Sequence, residues 1–353
     1  VSSRGRPFLV GERQIGEGAP VFIVAEAGVN HNGDPALARQ LIDVAAEAGA
    51  DAVKFQTFRT ESLVSRTAPK AAYQREATGA REGQAEMLRP LEFGPEEHVE
   101  LRDWCAKRGL LFFSTPFDLS SADLLESLGV PLFKVPSGEI TNLPFLRHVA
   151  AKGRPVVLST GMSTLDEVGR AVDAIRESGD SPLALLHCVS AYPAPPSEMN
   201  LRAMDTLKTA FGCPVGLSDH TLGIEIAVAA VARGAAIIEK HFTLDANLPG
   251  PDHRASLEPA ELSRLVASIR SVESALGDGV KRPTSSELDT RSVARKSLVA
   301  ARAIRAGERL TADAVAIKRP GTGIPPADLP KALGRPVRRH LAADEVIDWT
   351  ALG

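Results

Sequence analysis

Residues 216–223 read GLSDHTLG and residues 237–243 read IIEKHFT. Each is a short apolar run closing on polar residues and a histidine, His220 in the first and His241 in the second. A helix-like stretch over 222–232 separates the two runs. Polar residues that recur at the ends of apolar runs mark a parallel barrel, because such barrels gather their chemistry at the C-terminal ends of the strands. The same unit repeats along the chain: VFIVAE (21–26), DAVKFQ (51–56), LLFFST (110–115), PLFKVP (131–136), RPVVLS (154–159), LALLHC (183–188), PVGLS (214–218) and AAIIEK (235–240). Helical periodicity is expected near 35–48, 95–108, 118–128, 142–151, 164–178, 200–210, 222–232 and 259–276.

Eight strand–helix pairs are the number that closes a (β/α)8 barrel. The runs are nearly continuous in apolar residues, which fits strands buried on both faces. Several helices close on a glycine just before the next strand (AEAGAD, CAKRGL, ESLGVP, VARGAA), where a left-handed C′ residue is needed. A doubly wound open sheet is the competing layout, and it has no reason to stop at eight.

Composition sets the outer limits. The chain has 353 residues, 24% charged and 44% hydrophobic, with a formal net charge of -3. That suits one large core plus a small second domain and gives no reason to expect a nucleic-acid or membrane surface. Three cysteines (Cys105, Cys188, Cys213) form no CxxC pair, so a reducing compartment and three small buried residues are expected. No secretory leader pattern opens the chain, and no run approaches a membrane span, so a cytoplasmic location is expected.

The barrel is expected over 21–276. Residues 1–20 are an N-terminal extension, read as a short hairpin capping the barrel bottom. Residues 277–290 are polar and read as a linker, and 291–353 as a small mostly β domain with strand candidates SLVAARAI, AVAIKRP, VRRHLA and EVIDW. Two connections break the barrel rhythm. The excursion 58–94 contains Tyr73, Gln74, Gln84 and Met87 and is read as a lid or substrate wall, against packing or a subunit contact. The turn-rich segment 242–258 is placed to hold a polar side chain over the barrel mouth.

Strand-end residues carry the candidate chemistry. Glu26 closes the first strand ahead of AGVNHNG, a turn whose backbone amides are suited to an anion. Lys54 and Gln56 are two apart and share a face. A lysine pointing into a barrel needs an anionic partner, either a substrate or simply Glu26. Thr115 and Phe117 end the third strand region. Lys134 is followed by Ser137, Gly138 and Glu139, and the fifth strand ends on Ser159, Thr160 and Gly161. Hydroxyls beside glycine turns hold phosphate or carboxylate oxygens, or else cap helices. His220 and His241, on adjacent strands, suit a loosely held Mn²⁺, Zn²⁺, Fe²⁺ or Co²⁺, against an acid/base pair or plain hydrogen bonding. Asp219 is either a support for such a site or faces away from it. P-loop, dinucleotide and serine-hydrolase signatures are missing from the sequence.

The motifs AEAGVNHNG, KFQTF, STPFD, KVPSGEITNLP, LSTGM, HCVSAYPAP, GLSDHT, IEKHFTLD and GPDHRASLEP, in this order, resemble those of the sialic acid synthase family. SLVAARAIRAGERLTADAVAIKRPGTGI resembles its antifreeze-like, or SAF, C-terminal domain. The resemblance implies a TIM barrel followed by that domain. It implies condensation of phosphoenolpyruvate with an N-acylated hexosamine, assisted by a divalent metal, Mn²⁺ foremost and Mg²⁺ or Co²⁺ as substitutes. It further implies His220 and His241 as metal ligands, Glu26, Glu139, Asp252 and His241 near the reacting groups, and Lys54, Thr115, Lys134, Ser137, Ser159 and Ser218 around phosphoenolpyruvate. Gln56, Phe117 and Tyr192 would frame the sugar. A homodimer is implied, with the C-terminal domain over the partner barrel and Arg319 at the sugar's acyl group. N-acetylmannosamine, giving N-acetylneuraminate, is the default substrate reading. A 2,4-diacetamido-2,4,6-trideoxymannose, giving N,N'-diacetyllegionaminic acid, is the alternative, and Ser190 and Ala191 depart from the larger or more polar pair of many N-acetylmannosamine users. A non-catalytic sugar-binding module is the remaining reading.

Overall fold

The computed structural model describes residues 7–79 and 83–353. Eight parallel strands form one sheet: β3 (Phe22–Gly28), β4 (Ala52–Thr57), β5 (Leu111–Pro116), β6 (Phe133–Val135), β7 (Val156–Ser159), β8 (Leu183–Cys188), β9 (Val215–Asp219) and β10 (Ile237–His241). The last of these pairs with the first, so the sheet curls on itself. Its seam falls between β5 and β6, which lie side by side without a ladder. This arrangement excludes the doubly wound alternative. Nearly every strand residue is buried, as continuous apolar runs require.

Helices Pro35–Ala48, Pro95–Lys107, Leu119–Ser127, Leu143–Ala150, Leu165–Glu177, Ala203–Phe211, Glu225–Ala232 and Pro259–Leu276 alternate with the strands. Local chemistry sets their ends. Asp34 accepts from the Ala36 amide at 2.7 Å to start the first helix, and Thr164 with Glu167 forms a capping box on the fifth. The seventh helix begins at Glu225 rather than 222, because Gly223 takes a φ of 71°.

Ahead of the barrel, β1 (Phe8–Val10) and β2 (Arg13–Ile15) form an antiparallel hairpin. Its Val10 and Ile15 are buried in the barrel core, and Gly11 packs on Leu111 at the N-terminal end of β5. The hairpin therefore covers the barrel bottom; residues 1–6 of the expected extension lie outside the described residues. Near the same end, Asp51 accepts from the Ile23 amide at 2.8 Å and pairs with Arg270 at 2.9 Å.

The chain divides into two compact units at Gly277/Asp278. The second has its own core of Leu298, Ile304, Leu310, Ile324, Leu341 and Ile347. Its strands β11 (Ser297–Ala300) and β12 (Val315–Lys318) pair antiparallel. The two later strand candidates are reduced to single bridges, Ile304 with Leu341, Val337 with Leu352 and Val299 with Val346. Gly, Pro and Asp interrupt both segments too often for a ladder. No described helix is long and apolar enough to cross a membrane.

Candidate active site

Strand register brings the polar residues to one level. Glu26 lies opposite Lys54 on one side and His241 on the other, Gln56 opposite Thr115, and Ser218 opposite both Cys188 and Glu239. Side chains alternate across a strand, so Ser218, Glu239 and His241 point inward while Asp219 and Lys240 point out. Asp219 accordingly faces away from the site and pairs with Lys240 at 2.7 Å in the wall of the barrel.

The inward residues line a cavity of about 510 Å³ at the C-terminal end of the strands. Glu26, Lys54, Gln56, Thr115, Phe117, Lys134, Ser137, Ser159, Tyr192, Ser218, His220, His241 and Asp252 all lie on its surface. Glu139 does not. It sits on the 3-10 turn Ser137–Glu139, half-buried, and accepts from Asn142 at 2.7 Å. Arg319 is exposed on the second unit.

Four charges organise the floor. Lys54 Nζ lies 3.0 Å from Glu26 Oε1 and 3.5 Å from Glu239 Oε2, and donates to Thr115 Oγ1 at 2.9 Å. Lys134 Nζ lies 3.4 Å from Glu239 Oε1, which also accepts from Ser218 Oγ at 2.8 Å. Burial pushes the Glu26 carboxyl up to about 7 against the pull of Lys54. Burial acts the same way on Glu239, but Lys134 and Lys54 overcome it and hold that carboxyl near 2. Glu239 is the fixed anion of the floor, and Glu26 is the carboxyl poised to exchange a proton. Lys54 and Lys134 together give the floor a cationic pair that suits an anionic substrate.

Sequence reasoning missed Glu239. Its signal was its position two residues before His241 on one strand, hence on the same face. Cys188, a candidate from its place at the end of the sixth apolar run to face the site without a catalytic role, is buried and lines the cavity.

The two histidines stand with ring centroids 5.5 Å apart. His220 Nδ1 donates to the Val189 carbonyl at 2.7 Å, which leaves Nε2 without a proton in the neutral ring. Burial holds His241 well below its ordinary range, and its Nδ1 is buried with no partner among the described residues. Burial acts the same way on His220, but Cys188 and the Val189 carbonyl overcome it and shift that ring upward, so a cation would bind it in competition with a proton. Deprotonated, the two imidazoles offer lone pairs that fit a divalent cation. Among the described residues no group of three or more His, Cys, Asp or Glu side chains is arranged around an ion, so water and substrate would complete the shell. Glu26 Oε2 and Ser159 Oγ are also buried and unpartnered. Native proteins seldom leave such atoms orphaned, and three on one cavity surface are open to ligand or water.

Two glycines keep the floor open. A Cβ on Gly161 would stand 2.3 Å from Ser190 Oγ and 2.8 Å from Ser137 Oγ, where the Gly161 amide donates to Ser137 Oγ at 2.9 Å. Gly28 follows a register shift after Glu26 with φ 55°, a conformation that favours glycine. The turn behind it uses several of its amides internally. The amides of Asn30, Asn32 and Asp34 donate to Ala27, Val29 and His31 within the turn, and His31 stacks on Phe93 at 4.0 Å.

The excursion 58–94 folds into short helices Thr60–Leu63, Ala72–Thr78 and Gln84–Leu88 and forms one wall of the cavity. Phe58, Met87 and Leu88 pack with Val29 as a small cluster separate from the barrel core. Tyr73 stacks on Tyr192 at 4.9 Å, and Tyr192 lies 4.1 Å from the His220 ring. The segment after β10 brings Asp252 to the cavity, and burial raises that carboxyl to about 6. His253 and Ser256 tie this segment to Thr243 and Asn30.

Residues 41–281 match the NeuB family, and residues 295–353 match the SAF domain. The chain belongs to the NeuB family. As a NeuB-family member it is a phosphoenolpyruvate-dependent nonulosonic acid synthase, an enzyme that forms a C–C bond. Family membership also implies that the condensation depends on a divalent metal. The chain is 48% identical to the N,N'-diacetyllegionaminic acid synthase of Campylobacter jejuni, over 92% of this chain and 98% of that protein. It is 46% identical to the synthase of the same name from Legionella pneumophila, over 96% of each. The crystal structure of an N-acetylneuraminic acid synthetase from Leptospira borgpetersenii superposes with a TM-score of 0.72 at 39% identity, over 81% of this chain and 95% of that one.

Proposed function

We propose that this NeuB-family enzyme condenses phosphoenolpyruvate with open-chain 2,4-diacetamido-2,4,6-trideoxymannose and water, giving N,N'-diacetyllegionaminic acid and phosphate. The observation that carries the reading is the near-full-length identity of 48% and 46% to two synthases of that product, against 39% to the sialic acid synthetase. N-acetylneuraminate synthesis, the default from sequence, gives way to this alternative.

In the reaction, C3 of phosphoenolpyruvate bonds to the sugar's aldehyde carbon and the aldehyde oxygen gains a proton. Water adds at C2, and phosphate leaves with its bridging oxygen by C–O cleavage. Lys54, Lys134, Thr115, Ser137, Ser159 and Ser218 hold the phosphate and carboxylate of phosphoenolpyruvate on the cationic floor. Glu239 keeps both lysines charged and aimed. Glu26 takes the proton of the attacking water. Asp252 meets sugar hydroxyls at the mouth, with Gln56, Phe117 and Tyr192 around the chain of the sugar. Glu139, outside the cavity lining, serves the rim rather than the reacting carbons. His220 and His241 would hold the divalent cation, Mn²⁺ foremost, which when bound supplies Lewis-acid polarisation of the aldehyde.

In a homodimer, Arg319 would reach the acyl group of the sugar in the partner's barrel. Mixing R319A and H241A chains is then expected to restore part of the activity that each homodimer lacks. Proven heterodimers without activity would remove this role. The substrate assignment is tested by phosphate release from phosphoenolpyruvate with each sugar alone. Faster turnover of N-acetylmannosamine would overturn it.

A further inference from the structure

The cavity has two chemically distinct parts. Its floor is charged and hydroxylated, as described above. The excursion supplies another part, where Phe58, Leu63, Val64, Met87 and Leu88 form an apolar stretch beside Tyr73, Gln74 and Gln84, the Gln74 amide being engaged by the Ala71 amide and the Tyr73 hydroxyl. Phe58, Met87 and Leu88 are buried, and Leu63 and Val64 pack against them at the edge of the same cluster. This cluster is separate from the barrel core, so its packing does not hold the barrel together. Such apolar side chains beside a polar pocket are costly to wet, and a matching apolar group of the ligand would relieve that cost.

The aldehyde end of an open-chain hexose must lie on the floor, where the lysines, Glu26 and the two imidazoles stand. Its far end then extends away from the floor toward the walls. A C6 methyl group finds an apolar surface on the stretch of Val64, Met87 and Leu88, whereas a C6 hydroxyl set against those three side chains loses water without gaining a partner. From this we infer that the excursion is the specificity element for C6, with Met87 and Val64 selecting a 6-deoxy sugar over its 6-hydroxy counterpart. The inference rests on the proposed substrate and extends it from a name to a set of residues. A hydrophobic pocket rejects an added hydroxyl by at most about 100-fold, so the expected preference lies between about 10- and 100-fold.

The test compares kcat/KM within pairs that differ only at C6. One pair is 2,4-diacetamido-2,4,6-trideoxymannose and its 6-hydroxy analogue, and the other is 6-deoxy-N-acetylmannosamine and N-acetylmannosamine. The wild-type enzyme is expected to favour the deoxy member of each pair. Met87→Gln keeps the side chain's length and offers an amide to O6, so the preference should shrink at least about fivefold. Val64→Thr, nearly isosteric at a half-buried edge, guards against a folding defect in the first variant and should move the ratio in the same direction. No deoxy preference in the wild type, or ratios unchanged in both variants, would overturn the inference. Faster turnover of N-acetylmannosamine than of the diacetamido sugar would instead overturn the substrate assignment, while the within-pair ratios still decide the role of the excursion.

Discussion

Glu26 Oε1 stands 3.0 Å from Lys54 Nζ, while Glu26 Oε2 is buried with no hydrogen-bond partner among the described residues. One oxygen is fixed by the lysine and the other is left for a reacting group. With burial raising this carboxyl to about 7, deprotonated Glu26 accumulates as the pH rises through neutrality. If it accepts the proton of the attacking water, kcat/KM climbs through about pH 7 and then levels. Glu26→Gln is expected to lower kcat by about 10²–10⁴-fold and to abolish that limb of the profile. A variant with a lower rate but the same pH dependence would place the base elsewhere.

The histidine pair leads to a second expectation. His241 is buried and neutral, and its Nδ1 gains nothing from the protein. His241→Ala should therefore abolish Mn²⁺ binding, followed by electron paramagnetic resonance, and with it turnover. Cooperative unfolding of the metal-free protein should persist, since the lost nitrogen was unsatisfied. His220→Ala should behave alike. Full activity of either variant after rigorous chelation would refute the assignment of the metal ligands.

A third concerns stability alone. Lys240 and Asp219 pair at 2.7 Å with side chains 1% and 0% exposed, and Lys240 also donates to the Thr221 carbonyl at 2.6 Å. Removing one member leaves a buried charge, so Lys240→Met should destabilise the barrel by about 3–5 kcal/mol in denaturant unfolding. Breaking the exposed Arg89–Glu61 pair should leave the unfolding midpoint essentially where it is. Equal effects would mean that the pair in the barrel wall is effectively hydrated.

The barrel was legible because its strands are unbroken apolar runs and its helices end on glycine. Most of the cavity residues were legible for a related reason: alternation along a strand puts Lys54 with Gln56 on one face, and a polar residue closes each run. Glu239 escaped because its role depends on two lysines from distant strands, Lys54 and Lys134, which no local pattern connects. Glu139 sits on a 3-10 turn, where strand alternation gives no direction. Of the amides of AGVNHNG that looked free in sequence, those of Asn30 and Asn32 donate to carbonyls of the same turn and that of Gly33 to the His31 ring. The C-terminal unit kept only two of four expected strands, since single bridges depend on packing rather than periodicity. The excursion was least legible, because it follows no repeating pattern.

The most direct test of the account is competition for limiting phosphoenolpyruvate. Equal concentrations of 2,4-diacetamido-2,4,6-trideoxymannose and N-acetylmannosamine are supplied with Mn²⁺, and the nonulosonate products are resolved by mass spectrometry. N,N'-diacetyllegionaminic acid is expected to dominate. A mixture dominated by N-acetylneuraminate would contradict it.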